Sequence, residues 1–166
     1  AILPITTDYE LEREEQAVLQ LIAADVDGMV LVVSQPATSR ALDRLRAASL
    51  PYVLAYNRHA DHPCVSVDNE TAVIEMVARL VALGHRRIAF ISGELAASDR
   101  ALQRQRGFCE GMQAHGLDTY VCLEVPFIET AIQDIGALLD TPGRPTALVC
   151  SNDLIAIRSI RAAHLA

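Results

Sequence analysis

The stretch Val67–Gly93, VDNETAVIEMVARLVALGHRRIAFISG, leaves the chain few folds to choose from. Asp68 and Asn69 are helix N-cap types, whose side-chain oxygens accept from the orphan N–H groups of a first turn. Val73, Met76, Val77 and Leu80 recur at i, i+3, i+4, i+7 and draw one apolar stripe along a helix. Glu75 and Arg79 stand four apart on another face, in the order that favours an ion pair. Gly84 suits the left-handed cap that ends such a helix, and Arg86 and Arg87 follow where the macrodipole is negative. Ile88-Ala89-Phe90-Ile91 is then apolar without alternation. A strand of that kind is covered on both faces, which is the condition of a parallel sheet inside an α/β layer.

The remainder of the chain repeats the scheme. After a short extended segment, Ala1 to Thr7, a polar helix runs from about Tyr9 to Ala24, with Leu11, Val18, Leu19 and Ile22 for its buried face. The turn Asp25–Gly28 leads into the strand Met29–Val33, and a helix from about Ser39 to Ala48 follows. Leu50-Pro51 introduces the strand Tyr52–Tyr56, and Cys64–Val67 leads back into the organising stretch. Beyond Gly93 come a polar loop (Glu94 to Arg100), a helix to about His115 stopped by Gly116, and the strand Tyr120–Val125. A helix from Thr130 to Leu139, a turn at Thr141–Pro145, the strand Thr146–Ser151 and a final helix complete it. Alternating strands and helices with short connections mean right-handed βαβ units and an open parallel sheet. Ligands in such sheets sit beyond the carboxyl ends of the strands. The polar clusters there are Ser34-Gln35, Asn57-Arg58, Ser92-Gly93 and Ser151-Asn152-Asp153.

Composition narrows the chemistry. The 166 residues are 51% hydrophobic and 21% charged, a globular balance with enough chain for a real core. A net charge of −7 argues against this piece gripping nucleic acid by itself, since phosphate-binding surfaces are basic. The positive side chains are all Arg, which reads as genomic base bias. No apolar stretch nears the ~20 residues that span a bilayer. Cys64, Cys109, Cys122 and Cys150 show no metal or disulfide spacing, and free thiols in a reducing cytoplasm are the expectation. His59, His62, His85, His115 and His164 form no metal-ligand spacing and join no Ser–His–acid grouping. The glycines make neither GxGxxG nor a Walker loop. No enzyme, metal or cofactor is therefore expected.

With these residues in view, the chain resembles the lac-repressor/galactose-repressor family of bacterial transcription regulators. The matching phrases are VDGMVLVVSQ (Val26–Gln35), PYVLAYNR (Pro51–Arg58), VSVDN (Val65–Asn69), LVALGHRRIAFISG (Leu80–Gly93), RQRGFCEGM (Arg104–Met112) and RPTALVCSNDLIAI (Arg144–Ile157). They follow the family's order and spacing across almost the whole chain. The resemblance implies an α/β, two-lobed fold like that of periplasmic binding proteins, with open parallel sheets and a small effector between the lobes. It also implies that the sequence is a fragment, incomplete in each lobe and lacking the DNA-binding head. Residues 1–85 are expected in the N-terminal lobe and 86–166 in the C-terminal one. Exposed strand edges, prone to aggregation or element swapping, are a further expectation.

What the resemblance implies for single residues is specific. Arg104, in the setting RxxGF with Gly107 and Phe108, matches the family arginine that contacts effector hydroxyls or a carboxylate, where a guanidinium fork suits an oxygen pair. Asn152 and Asp153 match the family's ND pair. Asn152 is read as a ligand contact or a helix cap, and Asp153 more as the cap. Asn57 stands where relatives often carry Asp, and a neutral amide there disfavours a cationic ligand. Asp68 is read as an N-cap before a ligand contact. Ser98 and Arg100 lie in the loop where relatives place effector contacts, and Phe127 is either an aromatic wall or a core residue. The expected function is a ligand-responsive regulator, with a sugar-binding transport protein as the alternative. The expected effector is a sugar, sugar phosphate or purine-like molecule. The other implied partners are operator DNA, reached through the missing helix-turn-helix head, and a second subunit in a homodimer. The expected location is the cytoplasm, with no membrane contact.

Overall fold

In the computed structural model, which describes residues 1–117 and 120–166, the strand at the centre of the organising stretch is buried at each of its five positions. It is β4 (Ile88–Ser92). Before it come α1 (Leu11–Ala23), β1 (Met29–Leu31), α2 (Arg40–Ala47), β2 (Tyr52–Ala55), β3 (Cys64–Val65) and α3 (Asn69–Ala82). After it come α4 (Asp99–Ala114), β5 (Val121–Glu124), α5 (Ala131–Leu139), β6 (Ala147–Cys150) and α6 (Asp153–Leu165). Short 3-10 turns at Pro36–Thr38 and Leu95–Ala97 follow the tips of β1 and β4. Residues 1–7 carry no regular secondary structure.

The strands form two parallel three-stranded sheets, ordered β1-β2-β3 and β5-β4-β6. The chain divides into two compact units. One is Ala1–Val67 with Ala96–Arg100, and the other is Asp68–Leu95 with Ala101–Ala166. In the first unit, Val18 of α1 and Ala41, Leu42 and Leu45 of α2 close over Met29, Val33 and Leu54. Val30 and Val65, on alternate positions of β1 and β3, are 74% and 72% exposed, so the opposite face of that sheet is open and β1 is an edge strand.

The second unit has a core on each face of its sheet. Val73 and Val77 of α3 and Phe108 and Met112 of α4 pack on Ile88, Phe90 and Val149. Ala131, Ile135 and Leu139 of α5 and Ile155 and Ala162 of α6 pack on Ala89 and Ile91. That two-sided burial explains why β4 is apolar without alternation. It also moves the expected boundary. The sequence division near residue 85 put α3 with the first lobe, but α3 spends its apolar stripe on β4 and α4, so the units part after Val67.

The termini of α3 follow the sequence closely. Asp68 is the N-cap, accepting from Thr71 N at 3.1 Å. At the other end Gly84 has φ +94°, with Gly84 N donating to Val81 O and His85 N to Leu80 O, the paired bonds of a Schellman cap. Arg86 Nη1 donates to Val81 O at 2.9 Å, placing positive charge on the last carbonyls. The expected Glu75–Arg79 pair is not formed within 4.0 Å among the described residues. Glu70 of α3 instead meets Arg106 of α4 at 3.4 Å.

Candidate functional site

Each unit gathers a polar cluster at the carboxyl ends of its strands. In the second unit the centre is Arg104. It continues the buried stripe of α4 (Ala101, Phe108, Met112) at a level where the sheet ends. Its Nε donates to Asn69 Oδ1 at 2.9 Å, and its Nη1 donates to the carbonyl of Ser151. Asn69, the first residue of α3 and only 4% exposed, donates in turn to Gln103 Oε1 at 3.0 Å. The guanidinium is thus fixed between the start of α3 and the tip of β6.

The RxxGF spacing has a packing cause. A Cβ on Gly107 would lie 2.4 Å from the carbonyl oxygen of Glu70, and one on Gly111 would lie 2.9 Å from the Val77 side chain. Two glycines four apart on α4 therefore let it lie against the first turns of α3, and that close approach brings Arg104 within reach of Asn69.

Asn152 caps α6, its Oδ1 accepting from Ile155 N at 3.0 Å, while Asp153 is the first helical residue and is exposed. The cap expected more of Asp153 belongs to Asn152. Arg104 and Asn152 come together through Ser151, which accepts from one and precedes the other. Asp68 has both carboxylate oxygens on Thr71, one from its N–H and one from its hydroxyl. Phe127 is about half exposed rather than a core residue. Its ring lies on Gly93 so closely that a Cβ there would fall 2.0 Å from a ring carbon, and its carbonyl accepts from Arg158 Nη2 at 3.0 Å.

In the first unit Asn57 is fully buried. It accepts from Val33 N at 2.9 Å, donates to Val33 O at 2.8 Å, and donates to Asp99 Oδ1 at 2.8 Å. It ties the tip of β2 to the segment following β1. Asp99 also accepts from Arg100 Nη1 at 3.2 Å, and its backbone N–H donates to Ser34 O. Burial raises the Asp99 carboxyl above its ordinary value, against the opposing influence of Arg100 and Asn57. Arg100 stacks over the Tyr9 ring with its carbon 5.7 Å from the centroid. Ser98 is partly buried in the same segment. The eight expected residues are therefore split. Asn57, Ser98 and Arg100 sit with the first unit, and Asp68, Arg104, Phe127, Asn152 and Asp153 with the second.

Sequence reading missed Glu14, Asn69, Gln103 and Asp99. Glu14 is 4% exposed and accepts from both the N–H and the hydroxyl of Ser34, at 2.8 and 2.6 Å. Its signal was an acid beside Ala17 and Val18 on the buried face of α1. Among the described residues no group of His, Cys, Asp and Glu has the arrangement of a metal site, and no helix is long and apolar enough to cross a membrane. The four cysteines are free thiols. Partial burial and the neighbouring Cys109 push the Cys122 thiol up to about 11, far from a nucleophile's range.

The whole chain, residues 1–166, matches the family described as periplasmic binding proteins and sugar binding domain of LacI family. Catabolite control protein A of Priestia megaterium is 26% identical over 98% of this chain and 50% of its own length. The HTH-type transcriptional regulator AglR of Rhizobium meliloti is 29% identical over 93% of this chain and 45% of its own. A crystal structure of a LacI family transcriptional regulator from Silicibacter pomeroyi superposes with a TM-score of 0.81 at 26% identity, covering 98% of this chain and 62% of that one. The chain spans about half the length of the curated relatives it matches. With a family match over its whole length and a parallel α/β frame, this chain belongs to the family of periplasmic binding proteins and LacI-family sugar-binding domains.

Proposed function

We propose that the chain is the effector-binding part of a ligand-responsive transcriptional regulator. The observation that carries this is Arg104, held at two of its nitrogens by Asn69 and Ser151 at the carboxyl end of a parallel sheet. A guanidinium fixed in that way is an oriented donor for paired oxygens, such as the hydroxyls of a sugar, a sugar phosphate or a purine carbonyl. The curated relatives named above are regulators, which supports a role in transcription over one in catalysis. The acidic balance of this part fits DNA contact made elsewhere, through a helix-turn-helix head, in a cytoplasmic homodimer. An effector acts by binding one state of the protein better than another, and that affinity difference is the whole of its leverage.

The test is fluorescence anisotropy of the complete gene product on DNA from its own promoter, titrated with sugars, sugar phosphates and purines. At least one compound should shift DNA affinity by about tenfold, a common size for such coupling. Specific DNA affinity that no compound moves would overturn the proposal. The family description also covers periplasmic binding proteins, so a transport role is the second reading. The codons upstream of Ala1 separate the two, since a regulator specifies a DNA-reading head and a transport protein an export leader.

A further inference from the structure

We propose that Cys109 of α4 and Cys122 of β5 form a reversible disulfide, made by exchange with a low-molecular-weight disulfide and fastening α4 to the edge of its sheet. A crosslink at this place does not depend on what the protein binds.

Sequence spacing hides the pair, and the fold brings it together. β5 is an edge strand of the order β5-β4-β6, and the register sets Cys122 beside Phe90. Residues paired across parallel strands project to the same face, and the next residue projects to the other. Phe90 faces the core shared with α3 and α4, where its ring lies 5.4 Å from that of Phe108. Cys122 is therefore on the α4 side of β5. Val121, paired with Ala89, belongs to the opposite side. Tyr120, two residues before Cys122, meets the Phe108 ring edge-on at 5.5 Å. Cys109 follows Phe108 on α4 and packs against the same core as Tyr120.

The Cys109 thiol is a hydrogen-bonding neighbour of both Cys122 and the Tyr120 hydroxyl. The other two thiols are engaged elsewhere. Cys64, in the first unit, donates to His59 O at 3.8 Å, and Cys150 lies 3.5 Å from Ser159 Oγ of α6. Cys122 is exposed and Cys109 is partly covered, so an oxidant arriving from solvent meets Cys122 first.

The chemistry is two exchanges. Cys122, its proton lost to water, attacks one sulfur of the small disulfide RSSR, whose S–S bond breaks to release RS⁻. Cys109, deprotonated in turn, attacks Cys122 Sγ, the mixed disulfide breaks, and a second RS⁻ leaves. Both leaving groups take up a proton. Two protein thiols are oxidised to one disulfide while one RSSR is reduced to two RSH. Burial and the neighbouring Cys109 hold the Cys122 thiol up to about 11, and only a thiolate attacks. The first exchange is therefore slow near neutral pH, on the scale of hours, and the pair answers a sustained oxidising load and not a brief pulse. The bond closes the loop between α4 and β5, which restricts the unfolded chain and stabilises the second unit. It also fastens the helix that presents Arg104.

The test is incubation of the complete, folded gene product with glutathione disulfide, followed by mass spectrometry of a non-reduced digest and by thermal melting. The wild type should yield a Cys109–Cys122 linked peptide, and its melting temperature should rise by roughly 5 °C over the reduced protein, as a short closed loop implies. The double variant Cys64→Ser with Cys150→Ser should keep both the link and the shift. Cys109→Ser should instead hold glutathione on Cys122, with no gain in melting temperature. If Cys109→Ser does not fold, Cys122→Ser, at an exposed position, serves as the control that lacks both link and shift. Glutathione retained on Cys122 of the wild type without the internal link would overturn the proposal. So would a link that forms only in denaturant, or one that leaves the melting temperature unchanged or lower.

Discussion

Asn57 and Arg104 are polar side chains at strand tips, yet the structure gives them different work. Asn57 spends its oxygen and its amide hydrogens on Val33 and Asp99, so it is the tie that shapes the first unit's strand ends. Asn57→Asp keeps the shape but loses both donated bonds and sets a second carboxyl against Asp99. It should cost about 2–4 kcal/mol near neutral pH, measured by urea unfolding. The deficit should shrink as the pH falls, because burial raises the Asp99 carboxyl and a proton taken up by either member of the new pair relieves the repulsion. His62 supplies a second pH test. Burial, then Arg46 and His59, lower its imidazole below 6.5, with Asp61 and Asp43 opposing, and Tyr52 Oη lies 2.6 Å from its Nδ1. A depressed histidine leaves the unfolded chain binding more protons, so its contribution is intact above about pH 6.5 and is lost as the pH falls below it. Melting temperatures should therefore drop more between about pH 7.5 and 5.5 in the wild type than in His62→Asn. At this scale the sequence was partly readable. Asp68 and Gly84 announce their caps by residue type. Asn152 and Asp153 do not, since both are capping types, and only the end of β6 decides which of them precedes the first helical turn.

Among the elements, α3 and α4 carry the most information. Their mutual approach depends on Gly107 and Gly111, and it places Arg104. Gly107→Ala would press a methyl group into the Glu70 carbonyl. Separation of the helices should cost about 1–3 kcal/mol, read from denaturant unfolding, and effector affinity should fall with it because Arg104 leaves Asn69. Gly111→Ala meets the Val77 side chain at 2.9 Å and backbone only at 3.3 Å, against 2.4 Å to a carbonyl oxygen at Gly107, so the smaller effect belongs there. Among the described residues, periodicity points to the helices and to every strand except the two-residue β3, because a one-face stripe and an unbroken apolar run are local signals. It misplaced α3, since a stripe says that a face is buried and not on which sheet. The polar partners of Arg104 were hidden for a related reason. Asn69 reads as one more helix-start residue until α4 is laid beside it.

At the scale of the whole chain, two three-stranded parallel sheets each end in a polar cluster, and the clusters differ in character. The first is knit internally by Glu14, Asn57 and Asp99, two of them acids. The second is centred on a cation with unpaired hydroxyls beside it. The fold and its family were legible because six phrases stand in register along the chain. The partners that hold Arg104 were not, because Asn69 and Ser151 come to it only once side chains are placed. The most direct test of a small molecule held by Arg104 is calorimetric titration of the complete gene product with its stabilising ligand, in the wild type, Arg104→Lys and Arg104→Met. Affinity should fall by about a hundredfold in Arg104→Met, and by less in Arg104→Lys, which keeps the charge but loses the fork. Equal dissociation constants in the three proteins, all of them folded, would contradict the account.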